Sequence, residues 1–210
     1  MDTEDIKVPN ANWQYQETSQ QGLNPKAQGN FFENFGAHIV DFIQTLVVFG
    51  AIFILIYLFV AQPHKVSGSS MVATFHDGDY IITQKISYKL GLPQRGDIVV
   101  FKNPRDESQD FIKRVIAIPG DTIMVNSTQV YLNGQLLNEP YLSPGTPTFG
   151  RNFLNDGIEV KAGDNQYFVF GDNREHSSDS REWGSIPKEK IIGKAFFRYF
   201  PPQVFGLVKH

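Results

Sequence analysis

Residues 42–61 read FIQTLVVFGAIFILIYLFVA and include no charged side chain. A helix of these 20 residues is about 30 Å long, which matches the hydrocarbon thickness of a bilayer. In lipid, a single segment satisfies its backbone hydrogen bonds only as a helix. The stretch is apolar on all sides, which argues against a buried core helix, and no basic region precedes it, which argues against a removable secretory signal. It therefore predicts one transmembrane helix, assigned to residues 41–62.

This segment divides the chain of 210 residues into a tail and one larger domain. Residues 1–40 are mostly polar, rich in Asn and Gln and poor in aliphatic residues, so we predict a disordered tail. Residues 63–210 are long enough for one folded domain. Lysine and arginine are sparse on both sides of the apolar segment, so the positive-inside rule does not determine its orientation.

The composition excludes two classes of function. The chain has no cysteine, which rules out a disulfide framework and thiol chemistry. Its formal net charge is −3 at pH 7 and it contains no long basic run, so nucleic acid is not an expected partner. No histidines stand at the spacing of a metal site.

The sequence after the apolar segment has the pattern of β-strands. Short runs rich in β-branched and aromatic residues occur at 97–101, 111–118, 122–125, 166–170 and 194–200. Residues 130–137 predict a hairpin, because Asn133-Gly134 supplies the two positive φ values of a tight turn. No long amphipathic helix is evident. The sequence therefore predicts a mostly β domain with a curled antiparallel sheet behind a single N-terminal transmembrane helix.

Residues 67–71, with the sequence SGSSM, lie just after the apolar segment. A glycine-flanked pair of serines at the end of a membrane anchor is a candidate nucleophile held at the bilayer surface. Since the chain has no cysteine, the simplest enzymatic interpretation is a serine nucleophile activated by a lysine base.

A candidate base lies in the strand predicted over residues 111–118. Strand alternation places Phe111, Lys113 and Val115 on one face and Arg114 on the other, where it can stay solvated. Two interpretations of Lys113 remain open. It is either a lysine of an edge strand that extends to water, or an amine in an apolar setting. In the second case burial lowers the pKa, and the neutral amine can accept the proton of a serine hydroxyl.

A third polar cluster, residues 171–181, reads GDNREHSSDSR. Such a stretch is usually a solvated loop. Its opposite charges could instead form bidentate ion pairs that hold the loop in one conformation. The expected pairs are Asp172 with Arg174 and Asp179 with Arg181.

Two further residues of this cluster have candidate roles. Ser177 could hydrogen-bond the lysine amine and orient it. His176 suggests a Ser-His-Asp arrangement, but a serine and a lysine already form a complete dyad without it.

Taken together, these residues resemble the bacterial type I signal peptidases, which are membrane-anchored Ser-Lys proteases. The resemblance covers residues 42–202, and its segments follow one another in the order of the family. Besides the transmembrane segment, the matching segments are residues 67–75 (SGSSMVATF), 96–101 (GDIVVF), 111–121 (FIKRVIAIPGD), 171–181 (GDNREHSSDSR) and 192–202 (IGKAFFRYFPP).

The resemblance implies a role for each matching polar residue. Ser70 would be the nucleophile and Lys113 the general base, with Ser177 orienting the lysine. The remaining residues would support the site, namely Gly68, Asp172, Arg174, Asp179 and Arg181.

Two positions depart from the family pattern. Ala73 stands where the family usually carries a proline that would stiffen the turn. Gly68 stands where some members carry a serine whose hydroxyl helps to hold the oxyanion. The backbone N–H of Ser70 would therefore carry more of that role.

The resemblance also implies a function and a location. The protein would cleave N-terminal signal peptides from translocated preproteins at small-x-small sites, without a cofactor or metal. Its partners would be these preproteins, the lipid bilayer and the translocation machinery. It would cross the cell membrane once, with residues 1–40 in the cytoplasm and residues 63–210 outside. The alternatives are a self-cleaving repressor-type Ser-Lys peptidase and a membrane-anchored β-domain that binds peptides without cutting them.

Overall fold

A computed structural model of the protein describes residues 25–209. Most of the predicted tail, residues 1–24, lies outside this range. The chain forms two compact units, of which the first ends at Gly50 and the second begins at Ala51. All of the strands belong to the second unit.

The first helix, α1, covers Pro25–Phe59. It begins earlier than the predicted boundary at residue 41, so residues 25–40 are helical. Proline is favoured in the first turn of a helix, where its missing N–H would have no partner. From Phe35 to Phe59 the helix is long and apolar enough to cross a membrane. The short helices α2, Ile86–Leu90, and α3, Ser180–Trp183, lie among the strands.

Within the described residues, the chain forms twelve strands. They are β1 Ala61–Lys65, β2 Tyr80–Gln84, β3 Ile98–Lys102, β4 Asp110–Ala117, β5 Thr122–Asn126, β6 Gln129–Leu132, β7 Gln135–Leu136, β8 Glu159–Lys161, β9 Gln166–Phe170, β10 Ile186–Pro187, β11 Ile191–Phe200 and β12 Gly206–Leu207.

The strands form two antiparallel sheets. The larger has the order β1-β2-β11-β3-β4-β9-β10, with β12 also paired to β11, and the smaller has the order β7-β6-β5-β8. Strand β11 contains register shifts against both β2 and β3. Such bulges increase the local twist and bend the strand, which curls the larger sheet. The predicted mostly β, antiparallel fold is confirmed.

The strands with the clearest sequence pattern are present. Strands β3, β4, β5, β9 and β11 fall on the predicted segments within a few residues. The predicted hairpin joins β6 and β7 through Asn133 and Gly134, whose φ values are 51° and 75°. The sequence pattern missed β1, which contains Pro63 and three polar residues, and also β2 and β8. Their pairing comes from neighbours distant in sequence rather than from their own composition.

Three buried apolar clusters hold the sheets together, and one of them positions the turn that follows β1. In that cluster, Met71 and Phe75 are each 1% exposed and pack with residues of β2 and β3. Burying two large side chains on either side of the turn fixes its path relative to the sheet.

Candidate active site

The turn after β1 carries Ser70, and strand β4 carries Lys113. Ser70 Oγ and Lys113 Nζ lie 2.8 Å apart, although the two residues are 43 positions apart in the chain. The turn is held by the buried side chains of Met71 and Phe75, and Lys113 lies in a strand paired with β3. This separation is short enough for direct proton transfer between the two side chains.

The side chain of Lys113 is buried, with 4% of the residue exposed. Its Nζ also donates to the carbonyl oxygen of Ile112, at 2.9 Å, and lies 5.1 Å from the ring centre of Phe111. Burial lowers the pKa of Lys113 to about 8, against the opposing effect of the negative charges of Asp179 and Asp172. The side chain of Lys113 therefore does not extend to water, which excludes one of its two interpretations.

The lowered pKa of Lys113 predicts how activity depends on pH. If its amine is the base, only the neutral form accepts the serine proton, and this form grows as pH rises through about 8. We therefore expect kcat/KM for a cleavable peptide substrate to rise about tenfold per pH unit below this value and to level off above it. The measurement is the initial cleavage rate over about pH 6 to 10.5, with circular dichroism to verify folding. A profile that still climbs at full slope above about pH 10 would indicate an ordinary lysine pKa.

The loop after β9 holds the turn that contains Ser70. The Asn173 N–H donates to the carbonyl oxygen of Ser70 at 3.0 Å, and Asn173 Nδ2 donates to that of Ser69 at 3.0 Å. Gly171 allows this close approach, because a Cβ at this position would collide with the Ser177 side chain and the Ser70 carbonyl. Sequence reasoning did not single out Asn173, and only the approach of the two loops reveals its role.

Gly68 shapes the other side of this turn. Its φ is 89°, a region that side-chain-bearing residues rarely adopt, while a Cβ at this position would meet no other atom. Its N–H donates to Asp77 Oδ1 at 2.8 Å. The N–H of Ser70, in contrast, donates no hydrogen bond within residues 25–209. The backbone conformation, rather than a lack of space, therefore explains why position 68 is a glycine.

Ala73, which stands where the family usually carries proline, is exposed at the end of the same turn.

Asp172 pairs with Arg114, not with Arg174 as the sequence suggested. Arg114 Nε and Nη2 donate to the two carboxylate oxygens of Asp172 at 2.9 and 2.7 Å, and both side chains are 1% exposed. Arg114 Nη1 also donates to the Gly96 carbonyl at 2.9 Å, and Thr74 Oγ1 donates to Asp172. The expectation of a solvated Arg114 is therefore wrong, because these acceptors compensate for burial of its charge.

The two arginines of the loop itself, Arg174 and Arg181, are buried in separate pairs. Arg174 forms a bidentate pair with Glu139, which lies on a different loop. Arg181 Nε and Nη2 donate to the two oxygens of Asp179 at 2.8 Å each, which confirms the predicted pair. Burial by itself raises the pKa of Asp179, but Arg181 and the Gly171 N–H outweigh it, so that the pKa falls below its usual value. With the pair of Asp172 and Arg114, the loop thus takes part in three ion pairs.

Ser177 is buried next to Gly171, and its Oγ makes no hydrogen bond of good geometry. The hydroxyl is close enough to Asp179 to help lower the pKa of that carboxyl. Lys113 Nζ donates to Ser70 and Ile112 instead. The orientation of Lys113 by Ser177 therefore stays a prediction.

A cleft of about 310 Å³ opens beside Ser70 and Lys113. Its apolar lining consists of Val66, Ile81, Val100, Phe111 and Ile112. His176 lies on its rim and is exposed, and within the described residues its ring forms no hydrogen bond with Ser70. The arrangement favours a serine-lysine pair over a serine-histidine pair.

The cleft borders a free strand edge. Strand β4 pairs with β9 only at Arg114, Val115 and Ala117, so among the described strands nothing covers that edge of residues 110–113. Strand β1 forms the opposite wall and pairs only with β2. An extended peptide could therefore add to β4 and pass over Ser70.

Comparison with known proteins gives one family and several relatives. The family described as "Signal peptidase, peptidase S26" matches residues 39–200. The chain is 42% identical over 176 residues to "Probable signal peptidase I-1" of Synechocystis sp., covering 80% of this chain and 86% of that protein. It is 32% identical over 183 residues to "Signal peptidase IB" of Staphylococcus aureus (strain COL), covering 82% and 93%.

A solved structure is also similar. It is the crystal structure of a signal peptidase I from Enterococcus faecalis V583, with 30% sequence identity and a TM-score of 0.41. The match covers 49% of this chain and 95% of that one.

Proposed function

Because the chain belongs to the signal peptidase family, peptidase S26, we propose that it is a membrane-bound serine endopeptidase with Ser70 as nucleophile and Lys113 as general base. It is a hydrolase of the signal peptidase I type, and the family cleaves signal peptides. The observation that carries the proposal is the 2.8 Å separation between Ser70 Oγ and the amine of a buried lysine. Family membership favours this function over a repressor-type peptidase or a peptide-binding domain without activity.

In the proposed reaction, the neutral amine of Lys113 accepts the hydroxyl proton of Ser70 while Ser70 Oγ attacks the carbonyl carbon of the scissile bond. Negative charge moves to the carbonyl oxygen, where the Ser70 N–H would stabilise it. The ammonium of Lys113 then protonates the leaving amine of the mature protein. Water hydrolyses the remaining ester, with Lys113 again as the base.

The supporting residues would act through position and charge. The two pairs made by Asp172 and Asp179 place two carboxylates near Lys113, and their charges keep its pKa from falling further. Arg174 would hold the loop through Glu139, and Gly68 would set the path of the turn. We propose that Ser177 orients the amine of Lys113 once substrate is bound.

The substrate would be a preprotein with a small-x-small sequence before the scissile bond. An extended signal peptide would hydrogen-bond to the free edge of residues 110–113, and its alternate side chains would enter the apolar cleft.

The membrane would hold the enzyme where these substrates emerge. We propose that α1 crosses the cell membrane, that residues 1–40 lie on the cytoplasmic side, and that residues 63–210 form the catalytic domain outside, beside the translocation machinery. Lys89 Nζ lies 4.5 Å from the ring centre of Phe59, and Lys85 Nζ donates to the carbonyl of Tyr57 at 3.3 Å. Lysines and aromatic rings at the end of an apolar helix are typical of the lipid–water interface.

Protease protection tests the orientation. We expect protease added to spheroplasts to degrade the domain of residues 63–210 and to leave an N-terminal fragment that contains α1, because the bilayer shields the cytoplasmic side. The measurement is immunoblotting of tags at both ends, with a cytoplasmic protein as the control for intact membranes. A C-terminal domain that stays protected until detergent is added would contradict the outside location.

The activity itself is tested with the purified full-length protein in detergent and a precursor that carries an Ala-x-Ala site. We expect one cut, directly after the second alanine, identified by N-terminal sequencing of the product. An uncut precursor, or a cut elsewhere, would contradict the proposed function.

A further inference from the structure

Two side chains between β7 and β8 connect the ion pairs of Arg114 and Arg174. Glu139 and Tyr141 belong to residues 137–158, a segment that the structure describes throughout and that forms no strand. Tyr141 Oη donates to Glu139 Oε1 at 2.6 Å, and the centre of the tyrosine ring lies 3.9 Å from the guanidinium carbon of Arg114. Glu139 in turn accepts the bidentate hydrogen bonds of Arg174. Neither Glu139 nor Tyr141 takes part in the proposed reaction.

Asn173 stands between two residues that are fixed by these arginines. Its N–H donates to the carbonyl oxygen of Ser70 at 3.0 Å. The residue before it, Asp172, is paired with Arg114, and the residue after it is Arg174, which is held in its own pair. The position of Asn173, and with it that of the turn of Ser70, therefore depends on the contacts that fix its two neighbours.

The contacts of this network are buried and do not change over the pH range of an assay. The side chains of Arg114 and Arg174 are each 1% exposed, so water cannot replace a lost partner without opening the structure. The face of an aromatic ring attracts a guanidinium group, most strongly where both are withdrawn from water. Burial, together with the negative charge of Glu139, raises the pKa of Tyr141, so the phenol keeps its proton and continues to donate.

We propose that Glu139 and Tyr141 are positioning residues, which together form a brace that holds the loop after β9 and so keeps the nucleophile within reach of the base. This inference rests on the proposed function. The connection runs through the two buried arginines to Asn173, and from Asn173 to the turn. Ser70 and Lys113 lie on different elements, so a displacement of the turn by about 1 Å would lengthen their 2.8 Å contact and cost up to about 100-fold in rate.

The brace would also keep two negative charges close to the base. Burial lowers the pKa of Lys113, and the charges of Asp179 and Asp172, both on the loop after β9, oppose this effect. Their partners are Arg181 and Arg114. If the loop loses its brace and moves away from β4, the opposing effect weakens and the pKa of Lys113 falls further.

Two substitutions of Tyr141 separate its ring from its hydroxyl group. Tyr141→Leu removes the face that stacks on Arg114, whereas Tyr141→Phe keeps the face and loses only the hydroxyl group. With the Ala-x-Ala precursor, we expect kcat of Tyr141→Leu to fall about 10- to 100-fold. KM should change less than about threefold, because the free edge of residues 110–113 is not altered. In Tyr141→Phe, kcat should stay within about threefold of the wild-type value.

The pH profile distinguishes positioning from a general loss of structure. A smaller folded fraction scales kcat/KM down and leaves the midpoint of its rise with pH in place, with circular dichroism at each pH to verify folding. Loss of the brace should instead move this midpoint to lower pH, by at least about 0.3 of a pH unit, because the two carboxylates then act less on Lys113. Entry of water around Lys113 would move the midpoint in the opposite direction.

A second variant and a matched control complete the experiment. Glu139→Gln removes the charge that pairs with Arg174 while it keeps the size of the side chain. We expect the same direction of change in kcat and in the midpoint, so the test does not depend on the folding of Tyr141→Leu. Tyr131→Leu is the control, because Tyr131 lies on β6, does not line the cleft and contacts Gln129 through its hydroxyl group. It should leave both quantities at their wild-type values.

The outcomes distinguish this inference from the proposed function. Wild-type values of kcat and of the midpoint in both Tyr141→Leu and Glu139→Gln would overturn the brace and leave the proposed function intact. A fall in kcat without a shift of the midpoint, or with a shift to higher pH, would also overturn it, since the two residues would then serve folding alone. Equal losses in Tyr141→Phe and Tyr141→Leu would overturn the role of the ring. Absence of cleavage by the wild-type protein would overturn both the brace and the proposed function.

Discussion

We expect Ser70→Ala and Lys113→Met each to reduce cleavage of the Ala-x-Ala precursor by about 10⁴-fold or more, and the double variant to lose little beyond either single one. The first variant removes the attacking oxygen, and the second removes the group that takes its proton. Because the two side chains act as one unit at 2.8 Å, their losses should not add. The measurement is kcat/KM of each variant for this precursor, compared with that of the wild-type protein under the same conditions.

Neighbouring residues supply matched controls for this prediction. Ser69→Ala changes the adjacent serine, whose side chain is exposed, and His176→Ala removes the histidine on the rim of the cleft. Both variants should keep substantial activity. A loss in His176→Ala as large as that in Ser70→Ala would overturn the assignment of Lys113 as the base.

The stability of Lys113→Met tests whether unfolding, rather than loss of the base, causes the loss of activity in this variant. The pKa of Lys113 is about 8 in the folded protein and about 10.4 in an unfolded chain, so below about pH 8 folding buries a charged amine at a cost. Between these two values the unfolded chain binds more protons, and the stability of the wild-type protein should rise with pH. We therefore expect Lys113→Met to be more stable at pH 7, by about 1–3 kcal/mol. A large loss of stability would contradict the buried position of the charge.

The second large effect concerns the buried pair of Arg114 and Asp172. We expect Asp172→Ala to lower the free energy of unfolding by about 3–5 kcal/mol, because it leaves a guanidinium group buried without its counter-charge. Both side chains are only 1% exposed, so water cannot replace the missing carboxylate without opening the loop. Chemical denaturation of the domain, followed by tryptophan fluorescence, measures the loss.

An exposed pair on the same domain is the control for this prediction. Arg105 Nη1 lies 2.8 Å from Glu182, but the arginine side chain is 55% exposed, and Arg105→Ala should cost about 1 kcal/mol or less. The double variant Arg114→Met with Asp172→Leu removes both charges and should recover part of the stability lost in Asp172→Ala. If Asp172→Ala costs no more than Arg105→Ala, the buried guanidinium of Arg114 does not depend on the carboxylate of Asp172 for its stability.

Local sequence patterns predicted the elements whose formation depends on neighbouring residues. The apolar stretch of residues 42–61 indicated a helix, strands β3, β4, β5, β9 and β11 followed from their β-branched and aromatic residues, and Asn133-Gly134 placed a hairpin. The start of α1 at Pro25 was not predicted, because the polar residues before the apolar stretch carry no strong signal for or against a helix.

The sequence also indicated the candidate site, through individual polar residues and through segments that resemble those of a known family. Ser70, Lys113 and the pair of Asp179 with Arg181 were all named from the sequence, and the structure brings Ser70 and Lys113 to 2.8 Å. The wrong pairing of Asp172 with Arg174 came from assuming that charges close in sequence pair with each other. Nothing in the sequence pointed to Glu139 as the partner of Arg174, since it lies 35 positions away.

The sequence by itself therefore determined the kinds of elements and the residues able to carry the chemistry. The tertiary structure alone decided two further features: the burial that lowers the pKa of Lys113 and the partners of the buried arginines. The physical reason is the same in each case. The energy of a charge or a polar atom depends on which groups surround it in space, and strands distant in sequence supply those groups.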